Sequence, residues 1–374
     1  MNYLNIFILI CYSSYLMAVP FKPQDNKVIL ELSAYRSLSD IQKLQQQLNQ
    51  DPNNLVLALQ LAKKYIKLSE LNGASRYQGY AQAVLMPWWD LPKAPISVLL
   101  MRANLHQKQH QFQLALVDLK KILSQQKNYS QARLKRAFIY RTLGQYDLGL
   151  KDCRQLNRHV SSTIMAICYN SMLSLKGQAQ SAYKNLQAFA NIQDQTTRQW
   201  ILTELAEMSV RLGFNQKALN YFKQALKIKS HDLYLENAFA DFLLSQNQAQ
   251  KVLNLFQKRA GNIPTLRLRI AIALKKLKRD FSQDQAYLSA YFALEKARQS
   301  ELHLLDKARF LLIIKEDKKQ ALILAKKNWQ IQKEPLDALI YLQALIANHQ
   351  PAPEIKQWQS LEDIRIQFLL AKLK

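Results

Sequence analysis

His106 and His110 stand four residues apart in a stretch of helical composition, the spacing at which two imidazoles hold a metal ion. No acidic residue accompanies them, so neither metal nor cofactor is expected. His159, His231, His303 and His349 are scattered singly. No glycine-rich phosphate loop, nucleophile elbow or histidine–acid arrangement occurs, and the expectation is a protein that is not an enzyme. Charge pairing is the chemistry that does repeat. Arg102 and Asp118 recur at a shift of 34 residues as Arg136 and Asp152, a spacing that lets a guanidinium grip a carboxylate across a helical hairpin and fix its register. Cys153 and Cys168 flank a turn near His159–Ser162 at similar distances. They read either as a disulfide between neighbouring helices or as two small buried hydrophobes. Trp88 and Trp89, set between Pro87 and Pro92, read as rings packed in a rigid linker or as an aromatic anchor held extended for a partner.

The elements that position these groups are helices. The 374 residues contain only 7 glycines, too few for a sheet-rich or phosphate-loop fold, and 49% of them are hydrophobic. Leu, Ala, Gln and Lys dominate, all good helix formers. A net charge of +25 favours an anionic partner such as an acidic protein, a lipid headgroup surface or cell-wall polymer. Nucleic acid is the weakest candidate, because the bases are spread over many helices with no basic arm, zinc spacing or aromatic RNA-binding motif.

Residues 1–18 read as a secretory signal peptide, apolar from Leu4 to Tyr12 and ending at Ala18. The n-region lacks Lys and Arg, and Leu16 stands where a small residue is preferred. The competing reading is an uncleaved inner-membrane anchor spanning Tyr3–Val19. Export to the periplasm would leave Cys153 and Cys168 as an even pair in an oxidising compartment, since Cys11 departs with the signal.

The 34-residue shift organises the rest. Arg102-Ala103, Gln111, Leu114, Leu116 and Asp118 match Arg136-Ala137, Gln145, Leu148, Leu150 and Asp152; Leu205-Ala206, Leu219 and Phe222 match Phe239-Ala240, Leu253 and Phe256. A period of this length in helical composition predicts stacked helical hairpins. The unit from Leu202 to Ser230, with Ala206, Gly213, Ala218, Phe222 and Ala225-Leu226, resembles the tetratricopeptide repeat. Small residues stand where the two helices of a hairpin cross: Ala103 with Ala115, Ala137 with Gly149, Ala206 with Ala218. Repeats of this kind are expected at 54–89, 96–129, 130–162, 163–195, 199–231 and 232–264, with an insertion at Ser69–Arg76. Residues 19–53 carry a capping helix at Ser39–Asn49. Residues 265–374 hold irregular hairpins (265–300 and 301–334) and one terminal helix, Glu354–Leu373, with Ile355, Trp358, Leu361, Ile364, Phe368 and Leu369 on its apolar face.

The resemblance implies an all-α, right-handed superhelical solenoid that binds a protein or peptide in a concave groove lined by first helices. Carried over repeat by repeat, the family's contact positions fall on Asn104, Gln107 and Lys108, then on Gln131, Phe138, Arg141 and Thr142. The next two repeats supply Trp200, Thr203, Glu207 and Arg211, then Tyr234, Asn237, Asp241 and Ser245. The expected function is a scaffold for a peptide or extended acidic segment. The alternative is a peripheral binder of an anionic membrane or cell-wall surface.

Overall fold

The computed structural model describes residues 36–374 apart from 157–158, 298–301, 353–354 and 374, and its regular elements there are helices. The signal-peptide or anchor reading of residues 1–18, with Cys11, lies outside the described residues. The described residues open with α1 (Arg36–Gln50), α2 (Leu55–Asn72), α3 (Arg76–Ala83) and a single helical turn α4 (Met86–Trp89). Regular hairpins follow: α5 (Ile96–Lys108) with α6 (Phe112–Gln125), α7 (Ser130–Thr142) with α8 (Tyr146–Gln155), and α9 (Ser162–Leu173) with α10 (Ala179–Gln187). Two more are α11 (Gln195–Arg211) with α12 (Asn215–Ile228) and α13 (Leu233–Ser245) with α14 (Ala249–Ala260). The last third contains α15 (Pro264–Lys276), α16 (Ser282–Ala297), α17 (Leu304–Arg309) running into a π-helical turn at Phe310–Lys315, and α18 (Lys318–Ile331). α19 (Pro335–Ala347), α20 (Ile355–Gln359) and α21 (Ile364–Ala371) complete the chain.

Helix starts are written into the sequence. The side chains of Asn54, Ser161, Asp194, Asp232 and Asp317 each accept a hydrogen bond from a first-turn N–H, and Pro264 and Pro335 occupy first helical positions. Within hairpins the helices touch through small residues: Ala103, Ala115, Ala137, Ala206 and Ala218 are at most 1% exposed. Gly149 shows why. A Cβ there would stand 2.7 Å from the Met172 sulfur and 3.2 Å from the Ala137 carbonyl oxygen.

Arg102 grips Asp118 through Nε (2.8 Å) and Nη2 (2.6 Å), and Arg136 grips Asp152 through the same atoms at 2.7 Å each. Both pairs are largely buried and span hairpins α5–α6 and α7–α8. Arg133 joins the second pair at 3.2 Å. Cys153 on α8 and Cys168 on α9 form a disulfide with a Cα–Cα distance of 5.6 Å, stapling one hairpin to the next. Its sequence separation of 15 residues corresponds to a constraint on the unfolded chain of about 3 kcal/mol. Reduction is therefore expected to lower the urea midpoint, read by far-UV circular dichroism with and without a phosphine reductant. Superimposable unfolding curves would show that the staple restrains nothing.

Two contacts shape the stack. The α2–α3 turn meets hairpin α13–α14, the sixth when α2–α3 is counted first, where the Arg259 guanidinium donates to the Leu71 carbonyl at 2.7 Å. Gly73, at φ +63°, allows this approach, since a Cβ would lie 3.2 Å from Leu233 and any side chain would strain the left-handed backbone. The first six hairpins thus come round so that the last meets the first. The C-terminal helices then dock on the turns of the third to fifth hairpins. Gly144 faces Lys333 and Gln357, Gly177 faces Ser360, and Gly213 faces Ile364. Lys333 N–H donates to the Thr142 carbonyl at 2.7 Å, and Ala179 N–H donates to the Glu362 carboxylate at 2.5 Å.

Three local expectations are corrected. Met86–Trp89 is a helical turn, not an extended strap, because its preceding residues continue the α3 turn hydrogen bonds; Trp89 is 7% exposed, packed against α5 and spent as a core residue. The expected insertion at Ser69–Arg76 is half an extension of α2, through Asn72, and half the short turn into α3. The terminal helix is broken: Glu362 turns left-handed (φ 49°) and Asp363 caps a new helix. The break resets the helical phase, so Ile366 and Leu370 face inward while Ile364 and Phe368 are exposed.

Candidate functional site

Where the stack meets its own beginning, it borders a half-open cavity of about 1060 Å³. α2 contributes Lys63, Lys67 and Glu70, α5 contributes Asn104 and Lys108, and α7 contributes Gln131 and Lys135. These pairs lie three to four residues apart, so each helix presents one polar stripe to the interior. The opposite wall is Lys229, His231 and Asp232 leading into α13, then Tyr234 and Asn237, with His303 at its edge.

The electrostatics are one-sided. Five lysines line the cavity against two carboxylates. Both carboxylates are engaged, Glu70 by Lys108 at 2.7 Å and Asp232 by Lys229 at 3.1 Å. Lys63, Lys67 and Lys135 have no carboxylate partner among the described residues. Lys135 donates to Asn104 Oδ1 at 3.0 Å, and burial, with Lys108 adding to it, pulls its pKa below the usual lysine value. Burial, reinforced by His303, pushes His110 down to about 4 and keeps it neutral. Two buried acceptors in the wall, the side-chain oxygens of Gln78 and Asn237, have no donor. Tyr234 is 60% exposed although surrounded by repeats, because it projects into this space.

The fifteen expected groove residues divide. Asn104, Lys108, Gln131, Tyr234 and Asn237 line the cavity. Most of the others are engaged by the protein itself. Arg141 binds Glu204 at 2.9 Å and Glu334 at 3.4 Å, and Thr142 donates to Glu334 at 3.2 Å. Arg211 donates to the Ser174 carbonyl (2.6 Å), Ser174 Oγ (2.9 Å) and the Leu361 carbonyl (3.3 Å). Phe138 and Trp200 pack together at 5.2 Å, and Thr203 donates to the Gln199 carbonyl. Asp241 is claimed by Arg269 and Arg309, and Ser245 is an exposed residue donating to Phe242. Glu207 accepts from Tyr234 at 2.5 Å, and burial together with the neighbouring Glu204 raises its pKa to about 7. Gln107 is half-buried outside the cavity lining.

Lys63, Lys67, Lys135, Lys229, His231 and His303 escaped the sequence reading. A weak signal existed for two of them: Lys63 and Lys67 are one helical turn apart on a first helix, in a repeat too irregular to align. The paired imidazoles part company. His106 bonds Gln111 at 2.7 Å, whereas His110 follows the end of α5 with φ +57° and stacks on Phe112. No cluster suited to a metal ion occurs among the described residues, and no helix among them is long and apolar enough to cross a membrane.

Regular helix pairs crossing through alanine and glycine at a 34-residue period, stacked hairpin on hairpin, decide the architecture. The fold is tetratricopeptide-like. No family model matches the chain, and no curated protein matches it. Among solved structures, this tetratricopeptide-like chain is similar to a tetratricopeptide repeat protein from Parabacteroides merdae, at 15% identity over 68% of this chain and 91% of that one, with a TM-score of 0.42. It is similar to human IFIT1, solved as a dimer with PPP-AAAA, at 13% identity over 89% and 86%, TM-score 0.48. It is also similar to yeast Tom70, at 13% identity over 90% and 86%, TM-score 0.43. These likenesses concern architecture alone.

Proposed function

We propose that this protein is a non-catalytic interaction scaffold that holds an acidic, extended segment of a partner protein in its internal cavity, and that it works in the periplasm. The observation that carries this reading is the three ammonium groups of Lys63, Lys67 and Lys135, which line one half-open cavity with no carboxylate paired to them among the described residues. Clustered like charges repel one another, and an incoming anion relieves that cost. The donorless oxygens of Gln78 and Asn237 suit the backbone N–H groups of an extended peptide. The volume also favours a peptide, since drug-sized ligands fill roughly 300–1,000 Å³. The periplasmic part of the reading is supported by the disulfide and by the signal-like sequence of residues 1–18.

A fluorescent twelve-residue Asp/Glu-rich peptide tests the reading by anisotropy titration. Lys63 and Lys67 are exposed to the cavity, so Lys63→Glu/Lys67→Glu is expected to keep the fold. Binding should weaken by at least about tenfold, the effect of losing two ion pairs of about 0.7 kcal/mol each. Affinity of the wild-type protein should also fall with salt. Equal affinity for the two proteins, or no binding to either, overturns the reading.

A further inference from the structure

We infer that Arg141 and Thr142 form a carboxylate subsite of the ligand groove, filled in this structure by Glu334 of the protein's own chain. An acidic residue of the bound segment takes the place of the Glu334 side chain there. The inference rests on the cavity being the ligand site and extends that site by one carboxylate.

The linker between α18 and α19 shows what the subsite holds. Gln332 and Glu334 have extended backbone, and the Lys333 N–H between them donates to the Thr142 carbonyl at 2.7 Å. The Glu334 carboxylate is held through both oxygens. Thr142 Oγ1 donates to Oε1 at 3.2 Å, and Arg141 Nη2 donates to Oε2 at 3.4 Å. An extended stretch bonded to one helix through its backbone and its carboxylate has the chemistry of a docked acidic peptide.

Position joins this subsite to the cavity. Gln131 and Lys135 line the cavity from α7, and Phe138, Arg141 and Thr142 continue the same helix face. Across the groove, Tyr234 lines the cavity and its hydroxyl donates to Glu207 at 2.5 Å. Glu207 stands one turn of α11 from Glu204, which binds Arg141 at 2.9 Å. The two carboxylates on Arg141 differ in how readily they leave. The Glu204 side chain is 9% exposed, whereas that of Glu334 is further from Arg141 and 27% exposed. Exchanging Glu334 for a ligand carboxylate keeps Arg141 paired, which avoids the penalty for an uncompensated buried charge. Arg141 Nε is buried and used by neither glutamate, so the guanidinium is one acceptor short among the described residues. Along α7 the subsite lies roughly 9 Å beyond Lys135, which an extended chain covers in roughly three residues.

The test uses two fluorescent peptides of equal length and composition, titrated by anisotropy against the full chain and against Glu334→Gln. One carries two glutamates three residues apart, and the other carries them side by side. Glu334→Gln is expected to bind the spaced peptide at least about fivefold more tightly than wild type does, the gain from removing one partly exposed competing ion pair. The adjacent pair cannot span both sites, and its affinity should change by less than about twofold. Should Glu334→Gln lose helicity, Glu334→Asp carries the same expectation, since it keeps a helix-capping side chain but draws the carboxylate back from Arg141. Equal affinity of wild type and variant for the spaced peptide overturns this inference and leaves the acidic-segment reading standing. An equal gain for both peptides is long-range charge relief alone, and it too overturns the inference. No binding of either peptide to either protein overturns both readings.

Discussion

Asp241→Asn is expected to destabilise the protein by about 3–5 kcal/mol, the range for breaking a buried ionic group by removing one member. Asp241 sits on α13 between two guanidiniums that are themselves almost wholly buried. Arg269 reaches it through Nε (3.1 Å) and Nη2 (2.8 Å), and Arg309 through Nη1 at 2.5 Å. Arg269 also holds Asp306 at 2.7 Å, which leaves Arg309 the more exposed to the loss. The substitution keeps shape and volume but removes the charge, so what is measured is the cost of an uncompensated guanidinium in the core. Burial alone would raise the Asp241 carboxyl; Arg269 and Arg309 together bring it below its usual range. A carboxyl whose folded pKa is depressed contributes stability above the ordinary aspartate range and loses it as the pH falls through the folded value. The wild-type advantage over Asp241→Asn should therefore be constant from pH 5 to 8 and shrink toward pH 3. Urea titrations at several pH values measure this. A difference below about 1 kcal/mol at pH 7 would mean that Asp306 alone suffices for the network.

Trp358→Ala is expected to cost about 3–5 kcal/mol and to loosen the C-terminal cap from the hairpins it covers. The indole of Trp358 is 0% exposed and meets Trp329 and Tyr341 edge-on, with ring centroids 5.8 and 5.5 Å away. It belongs to the cluster that joins α18, α19 and α21 to Tyr146 and Leu175 of the third and fourth hairpins. Removing it leaves a cavity that the close-packed rings around it cannot collapse to fill. Its indole N–H has no acceptor, so Trp358→Phe forfeits area without losing a hydrogen bond and should cost clearly less than the alanine change. Limited proteolysis offers the second measurement. Cleavage between α19 and α21 should accelerate in Trp358→Ala and hardly change in Trp358→Phe. Unaltered proteolysis of the alanine variant would mean that the cap is held by its polar contacts alone.

The hairpins were legible because their signals are local. A small residue is needed wherever two helices of one hairpin cross, and that need repeats every 34 residues, so Ala103, Ala137 and Ala206 advertise the architecture in one dimension. The Arg102–Asp118 and Arg136–Asp152 grips and the Cys153–Cys168 bond belong to the same class. Each joins neighbours along the chain, and sequence spacing nearly fixes spatial distance. The terminal helix was misread at its middle, because an apolar rhythm that survives a break at Glu362 looks continuous until the phase of Ile364 and Ile366 is seen.

The cavity proposed as the binding site was legible only in part. Contact positions transferred from regular repeats named Asn104, Lys108, Gln131, Tyr234 and Asn237, which line the cavity, yet they also named Arg141, Arg211 and Asp241. Those three face inward as their positions require, but they meet Glu334, Leu361 and Arg309, which lie far along the chain. The amino-acid sequence by itself determined the helices, their pairing into hairpins and the bonds within and between adjacent repeats, since these interactions act over about one period. Only the tertiary structure decided how far the stack turns before residues 71–73 meet 233–263, and which inward-facing side chains the C-terminal helices cover. Small rotations at each repeat add up over the whole stack, so closure depends on their sum, and no single repeat carries that sum in its own residues.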